Sequence, residues 1–321
     1  MFRKIIFILL ISILTGILLF SQPAPAADEN IPYLITFGGN ADPSWGDDDF
    51  CQIFFCVLPA SFKQNVYIRV FDPDTGGAVD ELKGSFNTVV KFSVYGGPKC
   101  WSDSSSQSIY ASRGNYKSGY QMASKSFAAD VKYDSKWYTF GPFNPSEGEY
   151  VEKLGGNVFK IIAEGISGDD GNLYRYYLSS APDNNTPVDG GNLFTYKYHF
   201  RLPDNPKQVC QIYPFADDKT ISVEVRNFDW DNDGTIRVFS VAKNGIASRI
   251  SSENKWVTEI YPVVEEEKNS SLEIQFIKSQ TSVIKNNNVV VTVRNQYGVS
   301  LPFYVIPIGG IPVYTPKIRM K

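Results

Sequence analysis

Carboxylates are the residues of this chain whose type and spacing are best suited to chemistry, and cation binding is the chemistry they suit. Asp229, Asp231 and Asp233 alternate through Asp229-Trp230-Asp231-Asn232-Asp233-Gly234. Hard oxygen donors at every second residue, closing on a glycine, can turn inward around a hard ion such as calcium. Ser240 stands where a full calcium loop would place a bidentate glutamate, and ordinary turn propensity accounts for the same residues. Both readings, calcium loop and acidic turn, stand at this level. A second acidic stretch carries Asp72, Asp74, Asp80 and Glu81 beside Gly76 and Gly77, and a third carries Asp47, Asp48 and Asp49 just before an apolar run. Loops at one end of a β-sandwich can pool such carboxylates around a shared ion, with Asp72, Asp74 and Asp80 as ligands. The alternative is solvated charge that keeps sheet edges soluble. Calcium is thus the one cofactor that the residues admit.

Other chemistries find less support. The single histidine, His199, lies in Phe194-Thr195-Tyr196-Lys197-Tyr198-His199-Phe200. Alternation puts it with Thr195 and Lys197, opposite the aromatic face, and so on the solvent side. The sequence contains no Gly-x-Ser-x-Gly elbow, no His-Glu-x-x-His pair and no phosphate-cradling glycine loop, which argues against serine and zinc hydrolases. Glycoside hydrolysis leaves no short motif, because it needs only two carboxyl groups at a suitable separation. Of the five tryptophans, Trp45 and Trp101 sit among Gly, Asp and Ser in expected loops, where an indole can stack on a sugar ring. Most other aromatics fall inside strand runs and are read as packing.

The elements that must carry these residues are strands. Short runs alternate apolar or β-branched residues with polar ones between Gly, Pro, Asn and Asp: 33–37, 51–58, 66–71, 89–95, 137–140, 158–163, 173–178 and 194–200 in the first part, then 220–228, 235–241, 256–263, 271–277, 289–294 and 302–308. Only Gln121 to Ala129 suggests a short helix; Asn115 to Ser126 otherwise reads as an irregular excursion, and Ser102 to Asp134 as an elaborated loop region. Asp169-Asp170-Gly171, Asn232-Asp233-Gly234 and Lys243-Asn244-Gly245 read as hairpin turns. Leu202-Pro203-Asp204-Asn205-Pro206-Lys207 cannot continue a central strand and marks a domain boundary. The expected fold is all-β, two tandem antiparallel β-sandwiches of jelly-roll or immunoglobulin-like type: residues 27–202 with a long loop insertion, and residues 203–321.

Residues 1–26 read as a signal peptide: Arg3 and Lys4, an apolar run from Ile5 to Phe20, then small residues ending Ala24-Pro25-Ala26. A secreted, periplasmic or cell-surface protein with no membrane span after cleavage is the expectation. Four cysteines, Cys51, Cys56, Cys100 and Cys210, then favour disulfides. Four cysteines allow three pairings, among which the sequence does not choose; Cys51 and Cys56 stand at an odd offset in one strand, which points them to opposite faces, and a Cys100 bridge to one of them would close a loop. The 43% hydrophobic and 20% charged content is that of a folded chain, and a net charge of −3 lacks the basic footprint of nucleic-acid binding.

Val66-Tyr67-Ile68-Arg69-Val70-Phe71-Asp72-Pro73-Asp74-Thr75-Gly76-Gly77, Trp137 to Phe143, Val158 to Gly165 and Tyr174 to Leu178 resemble the strand sequence of bacterial pre-peptidase C-terminal domains. The resemblance covers the first domain only. It implies a non-catalytic β-sandwich of a kind that accompanies secreted enzymes, some members of which bind calcium or polymeric substrates. The expected function is non-enzymatic binding, adhesion or scaffolding through sandwich loops, with an extracellular polymer or envelope protein as partner. A carbohydrate-active protein, either glycan-binding module or hydrolase, is the alternative.

Overall fold

A computed structural model of the chain describes residues 31–108 and 114–316. The expected signal peptide, residues 1–26, lies outside the described residues. Within them, regular structure consists of strands and five short 3-10 turns, and every ladder is antiparallel, as the all-β reading requires. No helix among the described residues is long and apolar enough to cross a membrane.

The longest sheet has eight strands in the order β17 (Trp256–Pro262), β14 (Ser222–Phe228), β20 (Asn288–Asn295), β11 (Lys197–Arg201), β1 (Tyr33–Phe37), β9 (Gly171–Ser179), β3 (Val66–Phe71) and β6 (Trp137–Phe143). A second sheet runs β21 (Phe303–Tyr304), β10 (Asn192–Thr195), β2 (Cys51–Pro59), β8 (Gly156–Ser167), β4 (Val89–Gly96) and β5 (Tyr120–Phe127), with β7 (Glu149–Val151) beside β8. The third runs β12 (Val209–Ile212), β19 (Glu273–Ile277), β15 (Thr235–Phe239) and β16 (Ile246–Ser248), and a small ribbon pairs β13 (Phe215–Ala216) with β18 (Ser270–Ser271).

Two sandwiches share the long sheet. At one end Phe54 of β2 stacks on Tyr176 of β9 with ring centroids 4.7 Å apart, and Phe92 of β4 meets Tyr174 edge-on at 5.0 Å. At the other, Phe200 of β11 packs on Phe276 of β19 at 5.3 Å. One contiguous core runs through both. The expected boundary at Leu202 follows β11 directly, and β11 ladders with β1 on one side and with β20 over five residues on the other. Backbone pairing therefore continues across that point.

Period-two alternation sorts side chains as expected, and it shows most clearly on β2, which is covered on both faces. Phe54, Cys56 and Leu58 enter the main core, while Cys51, Ile53, Phe55 and Val57 face a second cluster with Tyr95, Cys100 and Tyr196. The excursion after Gly96 covers that outer face. The expected disulfide is corrected: all four cysteines are buried thiols, and none is bridged. Cys51 and Cys56 point to opposite faces, and Cys100 donates its thiol to the carbonyl of Tyr95 at 3.4 Å instead. Burial pushes the Cys51 and Cys56 thiols well above the usual range and that of Cys100 up to about 12, so they are poor nucleophiles.

Other local expectations change because strand partners are chosen by packing rather than by the connecting turn. Gln121 to Ala129 forms no helix; β5 occupies most of it as an edge strand against β4. The 194–200 run divides at Tyr196, with β10 in the second sheet and β11 in the long one. The 232–234 and 169–171 turns are not hairpins, since β14 and β15, like β8 and β9, lie in different sheets and the chain arches between layers there. Only Lys243-Asn244-Gly245 joins paired strands, β15 and β16.

Candidate functional site

The densest group of ionisable side chains lies where β1 and β11 part. They pair only at Tyr33↔Arg201 and Leu34↔Phe200, after which the ladder opens. Gln52 of β2 fills the gap: its Nε2 donates to the carbonyls of Ile35 (2.6 Å) and His199 (3.0 Å), and its Oε1 accepts from His199 N–H at 3.1 Å. The 38–50 loop folds over the opening and delivers three consecutive aspartates. Asp47 accepts the N–H groups of Phe37 and Phe50 at 2.9 and 2.8 Å, which ties the loop to β1 and fixes its carboxylate.

His199, fully buried, meets these carboxylates with both ring nitrogens: Nδ1 lies 2.8 Å from Asp47 and Nε2 lies 3.2 Å from Asp48. Lys197, two residues along the same face of β11, places Nζ 2.8 Å from both Asp48 and Asp49. Burial opposes protonation of the histidine, but the attraction of Asp47 and the hydrogen bonds to Asp47 and Asp48 outweigh it and raise the pKa to about 9. At Asp48 burial is outweighed by Lys197 and His199, and its pKa falls; at Asp49 burial and the neighbouring carboxylates prevail, and its pKa rises. The expectation that His199 faces solvent is thereby corrected. Alternation does put it opposite the aromatics, but the aspartate loop covers that face.

Among the described residues, Asp47, Asp48, Asp49 and His199 are the one set of three or more carboxylate, imidazole or thiol groups whose ligand atoms fall within 4.8 Å of one another, and such a set can hold a metal ion. Lys197 and the imidazolium already bring two positive charges to its three carboxylates. In that state the group is a nearly neutralised ion-pair network anchoring a loop to the sheet, and a metal would have to displace a proton from His199 and the ammonium from its place between Asp48 and Asp49.

The sequence-derived cation ligands fall in two separate places. Asp229 accepts from Asn254 N–H at 2.5 Å, Asp233 accepts from the Ser282 hydroxyl at 2.6 Å, and the intervening Trp230 is buried against Phe276. Burial, with Asp231 and Glu253 adding to it, raises Asp229 to about 7. Asp229 and Asp233 thus hold separate loops, and the ligand atoms of Asp229, Asp231 and Asp233 do not converge within 4.8 Å. Asp72, Asp74 and Asp80 do share a neighbourhood, at the end of β3. Asp72 accepts from Ser135 N–H (2.7 Å), Asp74 from Asp130 N–H (3.1 Å), and Asp80 from Gly76 and Leu173 N–H (2.7 Å each). Glu81 turns away to pair with Arg201 and with Lys83 at 2.7 Å.

The two tryptophans also separate. Trp45 packs on Phe37 with ring centroids 6.0 Å apart, and the ammonium of Lys83 sits 4.2 Å over its ring. Trp101 lines a cleft of about 440 Å³ over the edge of the second sheet, together with Tyr196, Phe215 and Tyr304 and the polar side chains of Gln107, Asn192, Asp217 and Asn295. Trp101 is held by its Nε1–H, which donates to the Tyr196 hydroxyl at 3.1 Å, and by Glu149, which accepts its backbone N–H.

One buried group had no signal in the sequence. Lys160 of β8 is fully enclosed, and its Nζ donates to Ser106 Oγ (2.7 Å) and to the carbonyls of Tyr116 (2.6 Å) and Ser118 (2.8 Å), pinning the excursion onto the sheet. Burial pushes its pKa down to about 8. A lysine beside a serine can activate a nucleophile, but the space next to Ser106 is only about 10 Å³, room for no more than a water. The contacts are those of a structural pin. No protein-family model matches the chain, and no curated protein sequence matches it, so function has to be read from these sites alone.

Proposed function

We propose that this is an exported, non-enzymatic binding protein that holds a neutral glycan in the Trp101 cleft. The cleft carries the reading. Its volume is in the range of small-molecule sites, about 300–1,000 Å³, and its lining combines aromatic rings with amides and a carboxylate. Sugar rings present apolar C–H faces edged by hydroxyls, which such a lining matches: rings take the faces, and amide and carboxylate groups take the hydroxyls. Among the described residues Lys153 is the only cationic one of the lining and Asp217 offsets it, so a phosphate-bearing ligand is a poorer match than a neutral one. An envelope or extracellular polysaccharide supplies such a ligand, and the resemblance of the first sandwich to polymer-binding accessory domains is in line with it. The location is inferred from the leader-like residues 1–26.

The test is retention on a panel of insoluble polysaccharides and on a glycan array. Trp101→Ala should weaken retention about ten-fold or more, as loss of an aromatic anchor does, while the protein keeps its β-type circular dichroism spectrum and melts cooperatively above the assay temperature. Trp45→Ala should leave retention intact, because that ring lies beneath Lys83. Failure of the unaltered protein to bind any glycan would remove this reading.

A further inference from the structure

We propose that Lys197 and Asp49 condense into an amide, a covalent cross-link between β11 and the 38–50 loop, with Asp48 moving the protons of the step. This is independent of the Trp101 cleft. The three groups are already in contact: Nζ of Lys197 lies 2.8 Å from Asp48 Oδ1 and 2.8 Å from Asp49 Oδ2, and the side chains of Lys197, Asp48 and Asp49 are only 7%, 11% and 6% exposed. A contact of that length to a carboxylate oxygen brings the nitrogen to about 3.5 Å from the carboxyl carbon, where near-attack geometry begins. Both partners are held in place. Asp47 accepts the N–H groups of Asp49 (3.3 Å) and Phe50 (2.8 Å), and Lys197 is laddered to Thr292 of β20.

The two carboxyl groups take different roles. Asp48 Oδ1 also lies 3.2 Å from Nε2 of His199, so it faces two cations and stays ionised, whereas Asp49 reaches the imidazole only at 3.9 Å. Burial makes Asp49 the carboxyl that takes a proton first, and neighbouring carboxyls pushed apart in this way divide into acid and base. Burial disfavours the Lys197 ammonium, but Asp49 and Asp48 outweigh it and keep the proton on the lysine at rest. The reactive form is the minor one in which that proton has passed along the 2.8 Å contact to Asp49. The neutral amine then attacks Cγ of Asp49. A C–N bond forms, Asp48 takes a second proton from the nitrogen and returns it to the departing hydroxyl, the C–O bond breaks, and one water leaves. No oxidant or cofactor is consumed. The product replaces two buried charges, which are costly to keep from water, with a neutral amide. Lys243 and Glu267 supply the contrast: Nζ lies 2.6 and 2.7 Å from the two carboxylate oxygens, but among the described residues no second carboxylate lies within 4.0 Å of that nitrogen to move protons, so this pair should stay ionic.

Intact-mass spectrometry of the purified whole chain, followed by tandem sequencing of its peptides, tests this. The wild type should weigh less than its sequence requires by one water, and a branched peptide should join Asp49 to Lys197. Lys197→Arg keeps the positive charge but cannot form this amide, and it should show the full mass. Asp48→Asn keeps the size of the side chain and removes the group that moves the protons; provided that its circular dichroism spectrum matches the wild type, most of its chains should also show the full mass. The wild-type mass decides the matter by itself where a variant does not fold. A wild type of full sequence mass overturns the proposal. So does a lost water that persists in Lys197→Arg, since that is succinimide formation at an aspartate and not a cross-link. A branch at position 48, or undiminished cross-linking in Asp48→Asn, overturns the roles given to the two aspartates.

Discussion

His199 ties protonation to folding. Its pKa rises from 6.5 to about 9 in the fold, so the folded state holds a proton that the unfolded chain releases. The resulting stabilisation is complete below pH 6.5 and is lost as the pH rises through about 9. The shift corresponds to on the order of 3 kcal/mol across that window. Denaturant melts at closely spaced pH values should show this decline, and His199→Gln should lie lower and run flatter between pH 6.5 and 9, because it leaves Asp47 buried without its cation. A wild-type profile without slope there would mean the imidazole is neutral in the fold. The acidity of Asp47, Asp48 and Asp49 was legible as three letters in a row, whereas their partner was not: His199 and Lys197 are about 150 positions away, and nothing local to either segment says that one covers the other.

At the scale of elements, the segment after Leu301 is the clearest case of a role decided by packing. The proline-punctuated, apolar run Pro302 to Ile318 reads from sequence as an edge element open to a partner chain. Its first part is core: Phe303 and Val305 are fully buried, Phe303 packs 5.5 Å from Tyr198, and β21 ladders with β10. From Ile308 onward the described apolar residues Ile311, Val313 and Tyr314 are exposed. Truncation after Leu301 should therefore abolish cooperative folding, while truncation after Gly310 should leave the β-type circular dichroism spectrum and protease resistance unchanged. Equal tolerance of both truncations would show that β21 contributes nothing to the core. The same logic explains the arches at 169–171 and 232–234. Turn residues announce that the chain reverses, and Gly234, at φ +132° and with a hypothetical Cβ 2.2 Å from the carbonyl of Ile277, meets that demand. They do not announce which layer receives the next strand.

For the whole molecule, the shared eight-stranded sheet governs how the chain unfolds. Since β11 and β20 exchange backbone hydrogen bonds and the core is continuous, we expect one cooperative transition by heat or urea. Residues 27–202 expressed alone should aggregate, because they would leave β11 as an unpaired edge stripped of its apolar cover. Two well-separated transitions, or a soluble and cooperatively folding fragment, would refute this. What the sequence by itself determined is the all-β architecture, most strand positions, the opposed faces of Cys51 and Cys56 and the acidic character of the 72–80 loop, all of which follow from side-chain period and local turn chemistry acting over a few residues. What only the tertiary structure decided is strand order, the burial of His199 and Lys197 beneath Asp47, Asp48 and Asp49, the unbridged thiols, and the meeting of Trp101 with Tyr196 and Tyr304 in one cleft. Those depend on which distant faces pack together, and a pattern of period two is satisfied equally well by many such pairings.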